Sequence, residues 1–315
     1  MFFQSACYVS TPTNAFQLLS NVYRTQGFMH IKKSCGTPQV ISVSGLCDEQ
    51  TWSTRKTLLY YLYFPFSIIV VTGRLLSLLI ISTLTIPLPS AIKKTTYRLL
   101  LRLLGIHIKC ALSSTQVGNH TDGCVVALNH ISVFDHFPVL AMPHATVMVV
   151  KTDSALGLAA GYMLFKCSGT AFWRPRNLKQ LARQLSQWRK SPQGTALYTT
   201  PEATINNGKG LFRFRPEFLN KGLPVVPLAI KLRTPFGLNP NPLHDTGAIK
   251  FLRLLSMPWL EFDMSFLEKQ SPRAEQNPQD FADHIQSLIA THLNIPATHW
   301  RTEDKYDFRN GTSSN

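Results

Sequence analysis

The segment most suited to chemistry is the run Asn129–His136, which directly follows the apolar residues Val125–Leu128. Within it, His130 stands five residues before Asp135. A histidine at the end of a buried strand can lie in a cleft, where a nearby carboxylate can hold its imidazole in one orientation. Such a pair can take a proton from an alcohol that attacks an activated acyl group. We therefore treat His130 as a candidate general base and Asp135 as its orienting acid.

The same spacing occurs a second time and provides an internal comparison. His299 also stands five residues before an aspartate, Asp304, but no apolar strand precedes it and a polar stretch follows. A short spacing recurs by chance, so it is weak proof of a site when taken alone. We attach chemical meaning only to the first pair, because a predicted strand positions it.

A second polar segment, Thr200–Gly208, follows the predicted strand Ala196–Thr199. Pro201 fixes a turn, and the small and amide residues that follow keep the loop compact, so that backbone N–H groups could face an anion. Glu202 could position a hydroxyl group or a phosphate-binding arginine. Alone, this segment is typical of a surface loop. It becomes a site candidate because His130 also follows the end of a strand in the same predicted sheet. α/β proteins build their sites at such strand ends.

Basic residues at further strand ends are candidates for binding phosphate. Arg174 and Arg176 follow the predicted strand Thr170–Trp173, and two guanidinium groups there could hold a phosphate through paired hydrogen bonds. They could equally be solvated surface arginines. Lys151 ends another predicted strand and is a weaker candidate of the same type.

Apolar runs alternate with helical patterns through the middle of the chain. The helical patterns include residues 155–165 and 178–189, and a further helix is predicted near the end, capped by Asn277. This alternation predicts an α/β fold with a mostly parallel sheet. The predicted strands are Ile106–Ala111, Val125–Leu128, Thr146–Lys151, Thr170–Trp173, Ala196–Thr199 and Leu223–Lys231.

An almost continuous apolar run, Leu58–Pro89, precedes this region, and Arg74 is the only charged residue within it. Each half of the run is shorter than the ~20 residues that a straight spanning helix needs. Basic residues flank both ends, which favours placing both on the cytoplasmic side. The run therefore predicts a re-entrant hairpin with its bend near Gly73 and Arg74, where an arginine is costly unless it snorkels or pairs. A single tilted span and a long buried core helix remain alternatives.

Residues 90–104 predict a helix with separate apolar and basic faces. Such a helix could lie on anionic lipid or pack against the domain. The whole chain has a formal net charge of +15, although only 16% of its residues are charged and 44% are hydrophobic. This excess suggests contact with phosphate, on a membrane or on nucleic acid. Since no C₂H₂, RRM or homeodomain pattern is present, we expect a membrane and no nucleic acid. The six cysteines show no zinc-binding spacing, and we expect no metal.

Several motifs in the correct order resemble those of the glycerolipid acyltransferases. The family pattern NH-x-S-x-x-D is matched by Asn129–Asp135, and its PEGT block by Pro201–Thr204, with Ala203 in place of glycine. The segments Asn207–Phe214 and Pro224–Pro227 look like the branch that contains the lysophosphatidylcholine acyltransferases and ancient ubiquitous protein. The resemblance covers roughly residues 58–305.

The resemblance implies a glycerol-3-phosphate acyltransferase-like α/β domain and assigns roles to the candidate residues. His130 would be the general base and Asp135 would orient it, while a lysophospholipid hydroxyl attacks the thioester of acyl-CoA. Acyl-CoA would be a co-substrate, and no bound cofactor or metal is implied. Glu202 and Thr204 would help to bind the acceptor phosphate. Lysophosphatidic acid and lysophosphatidylcholine both remain open as acceptors.

Two departures from the family pattern favour an alternative function. The position where the family usually has a phosphate-binding arginine holds Pro175, so either Arg174 or Arg176 must serve, or neither does. Ala203 adds a methyl group to a tight loop. The alternative is a weakly active or inactive adaptor at a membrane or lipid droplet, similar to ancient ubiquitous protein.

The resemblance also implies a location, and the patterns along the chain predict its division into segments. The catalytic domain would face the cytosol at the endoplasmic reticulum or a lipid droplet. We expect a poorly ordered extension at residues 1–54, a hydrophobic membrane hairpin at 55–92, an acyltransferase domain at 93–300 and a polar tail at 301–315.

Overall fold

The computed structural model describes residues 41–51, 57–148, 155–173, 178–192, 194–219 and 222–311. These residues form a seven-stranded sheet with helices on both faces. The strands are β1 Ile106–Cys110, β2 Val125–Leu128, β3 Ala145–Met148, β4 Ala171–Trp173, β5 Ala196–Thr199, β6 Val225–Arg233 and β7 Leu260–Phe266.

The strands lie in the order β1-β7-β6-β2-β5-β3-β4. Every neighbouring pair is parallel except β6 and β7, which pair antiparallel. The predicted α/β class and mostly parallel sheet are therefore confirmed. β7 was not predicted, although its alternating burial gives it the period of two that marks a half-buried strand.

The central strand β2 shows why the polar residues gather at one edge of the sheet. All four of its side chains are buried, and successive residues contribute to the two opposite cores. Because β2 and β5 are parallel, with Ala127 paired to Thr199, both strands end at the same edge. The two polar segments that follow them, which begin at Asn129 and Thr200, therefore leave the sheet side by side.

The helices cover the two faces of this sheet. α-Helices form over α1 Thr57–Thr85, α2 Ser90–Leu103, α3 Ser114–Thr121, α4 His136–Leu140, α5 Ala155–Ser168, α6 Leu178–Trp188, α7 Gly247–Ser256, α8 Pro278–Leu293 and α9 Thr302–Asn310.

The predicted hairpin is wrong, because α1 continues as one helix through Gly73 and Arg74. Arg74 points into the protein and is only 8% exposed. Its guanidinium group donates to the carbonyl oxygens of Leu255 at 2.8 Å and Pro258 at 2.9 Å, and also to that of Met257. These carbonyls lie at the C-terminal end of α7, where a helix presents unpaired acceptors and partial negative charge. The charged Arg74 side chain, which suggested a bend, is thus hydrogen-bonded to backbone carbonyls of the domain.

α1 lies along the domain, packing against α2, α5 and α7. It is long and apolar enough to cross a membrane by length and composition, yet only 17% of its most apolar window is buried. A buried core helix is therefore excluded. The large apolar side chains on its open side, each more than a third exposed, are Leu58, Leu59, Tyr61, Leu62, Phe64, Phe66, Ile68, Ile69, Leu75, Leu76, Leu79, Ile80 and Leu84.

Both ends of the described chain pack on the domain. In the expected N-terminal extension, residues 41–51 contact it: Leu46 is fully buried, and Asp48 bridges to Pro242. Residues 1–40 and 52–54 lie outside the described residues. At the other end, α9 occupies most of the predicted polar tail, so that part of the prediction is wrong.

Candidate active site

The segment Asn129–Asp135, here called the histidine loop, holds His130 at the end of β2. The His130 side chain is 16% exposed, whereas that of Asp135 is fully buried. His130 Nδ1 lies 2.8 Å from Asp135 Oδ2. An ionised carboxylate only accepts hydrogen bonds, so this contact places the imidazole proton on Nδ1 and leaves Nε2 as the basic nitrogen. No hydrogen bond joins Nε2 to any residue that the structure describes.

Asp135 is held by its own loop. Its Oδ2 accepts from the backbone N–H groups of Ile131 at 2.6 Å and Ser132 at 3.0 Å, and its Oδ1 accepts from Ser132 Oγ at 2.6 Å. Ser132 Oγ in turn accepts from the N–H of Phe134 at 3.1 Å. The serine of the NH-x-S-x-x-D pattern is therefore structural, and it fixes the carboxylate against which the imidazole rests.

Asn129 ties the start of the loop to the neighbouring strand β6. Its side-chain nitrogen donates to the carbonyl oxygen of Ile230 at 2.9 Å, and its side-chain oxygen accepts from the N–H of Ile230 at 2.7 Å. The amide thus replaces a missing backbone partner across the sheet where β2 ends. The asparagine before the histidine fixes the point at which the chain leaves the strand.

The second polar segment, Thr200–Gly208, is here called the PEAT loop, and Glu202 makes most of its contacts. Glu202 has no exposed surface. Its Oε1 accepts from the N–H of His130 at 2.8 Å, its Oε2 from the N–H of Phe212 at 2.9 Å, and both accept from the side-chain nitrogen of Asn206 at 2.9 Å. Asn206 also donates its own N–H to the His130 carbonyl at 2.8 Å. Glu202 therefore joins the two loops, and direct contact between it and a substrate stays a prediction.

Burial sets the electrostatics around these loops. It raises the pKa of Glu202 to about 8, against the lowering effect of the hydrogen bonds from Asn206, His130 and Phe212 and of the nearby Lys305 charge. It also lowers the pKa of His136 to about 4, helped by the adjacent His130. The two imidazole rings have centroids 6.0 Å apart. His136 is thus kept neutral beside the candidate base.

Ala203 adopts a left-handed backbone conformation with φ of 55°. Glycine adopts this conformation freely, whereas a residue with a Cβ does so at a cost of roughly 1–2 kcal/mol. The loop closes at this position, because the N–H of Ala203 donates to the carbonyl of Thr200 at 3.0 Å. The family's glycine is therefore explained by geometry, and Ala203 retains the turn under strain.

α9 packs on the outer side of the PEAT loop. Thr302 Oγ1 donates to the backbone carbonyl of Glu202 at 2.9 Å, and Lys305 Nζ donates to that of Ile205. The ammonium group of Lys305 also lies 5.6 Å from the centroid of the Phe212 ring. The C-terminal helix thus holds the loop that positions His130.

The structure brings only some of the predicted site residues together. His130, Asp135 and Glu202 are joined by hydrogen bonds, and Thr204 is half-buried in the same loop without a hydrogen bond to any described residue. Lys151, Arg174 and Arg176 lie outside the described residues. The comparison pair His299 and Asp304 forms no such contact within the described chain: Asp304 instead accepts from the N–H of Arg301 at 2.6 Å, at the start of α9.

Sequence reasoning gave no role to several residues that build the site. Asn129 and Ser132 were visible as part of the matched motif, and Asn206 as one of the amides of the PEAT loop. Thr302 and Lys305 lie in a segment that resembles the same branch of the family, but their role could not be predicted because their contacts join residues about a hundred positions apart.

Comparisons with known proteins give the following relatives. The human lysophospholipid acyltransferase LPCAT4 is 26% identical over 211 residues, which cover 64% of this chain and 39% of the relative. The lipid droplet-regulating VLDL assembly factor AUP1 from Danio rerio is 23% identical over 221 residues, which cover 69% and 49%. Among solved structures, the 1-acyl-sn-glycerophosphate acyltransferase PlsC from Thermotoga maritima aligns with a TM-score of 0.43 and 15% identity, over 76% of this chain and 96% of that one. No profile of a known protein family matches.

The aligned part of the chain spans less than half the length of these two curated relatives. The relatives agree with the resemblance predicted from the motifs, and they include both members of the predicted branch: an acyltransferase and a lipid-droplet factor. The comparisons thus support a relationship to the lysophospholipid acyltransferase superfamily, at 23% and 26% identity to these two relatives.

Proposed function

We propose that this protein is an acyl-CoA-dependent O-acyltransferase that acylates the free hydroxyl group of a lysophospholipid. The observation that carries this proposal is the hydrogen bond between His130 Nδ1 and the buried Asp135, which leaves Nε2 as the base. An acyl transfer to an alcohol needs one group that removes the hydroxyl proton as the new bond forms. His130 is the described residue best placed to do this.

The reaction requires proton transfer in two directions. Nε2 of His130 takes the hydroxyl proton while the alcohol oxygen attacks the thioester carbonyl carbon of acyl-CoA. Asp135 stabilises the imidazolium that forms. The tetrahedral intermediate then collapses, the carbon–sulfur bond breaks, and the CoA thiolate takes the proton from Nε2. The products are the diacyl phospholipid and free CoA.

The membrane contact proposed here is a helix lying on the bilayer surface. The open side of α1 carries a long row of exposed apolar side chains, while its other side is fixed to the domain by Tyr63, Arg74 and Leu78. Exposed apolar area of this extent is typical of a membrane or partner interface. Tyr63 Oη donates to the carbonyl oxygen of Ser256 at 3.0 Å, so even the first half of α1 is bound to the domain. The lysophospholipid and acyl-CoA would then reach the site from the membrane or lipid-droplet surface.

A second candidate function is that of a weakly active or inactive adaptor at the lipid-droplet or endoplasmic reticulum membrane. The match to the lipid droplet-regulating factor AUP1 and the strained Ala203 favour it. The intact contact between His130 and Asp135 favours the enzyme, because an adaptor has no need of an oriented imidazole.

The test is acyl transfer from labelled oleoyl-CoA to a panel of lysophospholipids by the membrane-bound protein. We expect His130→Ala to lower the rate by about 10²–10⁴-fold, since it removes the general base. His299→Ala is the matched control, because His299 has the same spacing to an aspartate but is exposed and lies outside the site. An equal rate in parent and His130→Ala would refute the proposed mechanism. Absence of transfer to every acceptor by the folded, membrane-bound parent would favour the adaptor.

A further inference from the structure

A surface cleft of about 440 Å³ lies between α2, β1, the start of α3 and the end of α4. Its floor is apolar and its rim is polar. The polar rim includes Arg98, Arg102, His107 and Ser114. The apolar floor includes Leu101, Ile106, Ile108, Leu112, Val117 and Met142.

The cleft is positively charged, and no acidic side chain is among the residues that line it in the described chain. Arg98 and Arg102 are one helical turn apart on α2, and neither forms an ion pair with a described residue. Arg98 Nη2 donates to Ser114 Oγ at 3.1 Å and to the Ala141 carbonyl at 3.3 Å, which holds the guanidinium group over the opening. Ser114 begins α3, whose N-terminal end adds a partial positive charge there. Two guanidinium groups without an ion pair among the described residues suit a phosphate.

α2, which packs against α1, carries exposed apolar side chains next to the two arginines of the cleft. On α2, the exposed side chains Leu99 and Leu103 each follow one of the two arginines. At 3.6 residues per turn, the apolar pair and the basic pair point about 100° apart around the helix. When the apolar side rests on a bilayer, the arginines therefore lie at the level of the headgroups, where such side chains are favoured.

The end of the cleft at Ala141 and Met142 lies away from the candidate active site. Residues after β2 and residues before β3 lie at opposite ends of the sheet, because both strands run parallel to β5. His130 follows β2, whereas Met142 of the cleft precedes β3. A phosphate held by Arg98, beside the Ala141 carbonyl, would therefore lie away from His130.

We propose that the cleft binds the phosphate headgroup of an anionic phospholipid of the membrane. The phosphate would lie between Arg98 and Arg102, and the glycerol and the start of one acyl chain would lie on the apolar floor. This inference rests on the proposed membrane contact and not on the proposed acyl transfer.

The experiment measures binding of the full chain to vesicles of phosphatidylcholine alone and of phosphatidylcholine mixed with phosphatidylglycerol. The double variant Arg98→Gln/Arg102→Gln should lose about 30-fold of the affinity for the mixed vesicles, at roughly tenfold or less per arginine near the surface. Its binding to neutral vesicles should not change. The matched control is Lys179→Gln/Arg183→Gln, which removes the same charge at the same spacing from the exposed surface of α6. The control should lose less than about threefold, because those residues lie away from the lipid.

A second variant blocks the cleft without removing its positive charge. Ser114→Trp places a large ring at the mouth of the cleft, on an exposed residue, without changing the net charge. The preference for mixed vesicles should disappear in this variant. Two results would overturn the proposal in favour of general charge attraction. One is an unchanged preference of Ser114→Trp for the mixed vesicles, and the other is an equal loss of affinity for those vesicles in the two double variants. Binding of inorganic phosphate by the parent, without any preference of the parent for the mixed vesicles, would also overturn the proposal and make free phosphate the ligand.

The same data distinguish the two proposals. Weak binding of the parent to neutral vesicles contradicts the membrane contact of α1. Binding to neutral vesicles with no gain from phosphatidylglycerol contradicts the cleft alone.

Discussion

The histidine loop and the PEAT loop leave the same edge of the sheet, and each contributes one fully buried carboxylate. Asp135 bonds the imidazole of His130 and the backbone of its own loop. Glu202 bonds the backbone N–H of His130 from the opposite loop, and it also bonds Asn206 and Phe212. Asp135 therefore fixes the tautomer and orientation of the imidazole, whereas Glu202 fixes the position of the His130 backbone. Two acids that look alike in the sequence have different tasks, and substitutions should separate them.

The largest effect on the reaction is expected from Asp135→Asn. The amide can present an N–H group to the imidazole and so favour the wrong tautomer, with the proton on Nε2. We expect acyl transfer to fall by about 10²–10⁴-fold under saturating substrates. The measurement is the transfer rate together with the thermal midpoint of the variant. A rate within about threefold of the parent, in a folded variant, would show that Asp135 does not control the base.

Glu202→Gln should lower stability as well as rate. One oxygen becomes an NH₂ group that faces N–H donors, so at least one buried donor loses its acceptor at a cost of about 1–3 kcal/mol. The free energy of unfolding in urea measures this loss. Glu303→Gln is the matched control: Glu303 is exposed and pairs with Arg215 at the surface, so its loss should change stability by less than about 1 kcal/mol. If Glu202→Gln lowers the rate without lowering stability, Glu202 acts on the substrate and not on the loop.

The pH dependence of stability gives a smaller but distinct signature. Since burial raises the pKa of Glu202 to about 8, the folded state holds this proton more tightly than the unfolded chain does. Stability should therefore fall as the pH rises from the ordinary carboxyl range towards 8. His136, with its pKa lowered to about 4, has the opposite effect, because stability falls as the pH drops below about 6.5.

Between about pH 6.5 and 8 the Glu202 effect operates and the His136 effect does not. We expect the thermal midpoint of the parent to decrease over that range and Glu202→Gln to lose this decrease. What remains in the variant is the smaller, opposite contribution of Lys94 and Lys250, whose pKa values burial lowers to about 8. His136→Gln should keep the decrease in that range and lose the acid-side dependence. An equal slope in the parent and in Glu202→Gln would assign the effect to another group.

The sequence was a good guide wherever neighbouring residues decide the structure. The short apolar runs predicted β2 and β5, and their polar ends predicted where His130 and Glu202 stand. The alternation of Leu260, Phe262 and Met264 with acidic residues would have revealed β7 by the same reasoning. These patterns work because a strand buries alternate side chains regardless of what lies beyond it.

The sequence was a poor guide wherever distant residues decide the structure. Arg74 looked like the charge at a bend, but the carbonyls that accept its hydrogen bonds are about 180 residues later in the chain. The last residues looked like a polar tail, yet Thr302 bonds the backbone of Glu202. Neither partner can be inferred from the local pattern, because each contact exists only once the sheet has formed. The sequence therefore located the PEAT loop and α1 correctly along the chain, but it did not predict the distant residues to which they are hydrogen-bonded.

The smallest expected effect concerns Ala203, and it tests why the two loops keep their arrangement. Ala203→Gly relieves the left-handed strain, but the greater freedom of glycine in the unfolded chain offsets part of this gain. We expect a net increase in stability of about 0.5–1 kcal/mol, measured as a shift of the urea midpoint. Because Glu202 is held from several sides, the strain at Ala203 should not have displaced His130, and the transfer rate should change by less than about threefold. A large gain in rate with the same small gain in stability would instead mean that the extra methyl group narrows the substrate pocket.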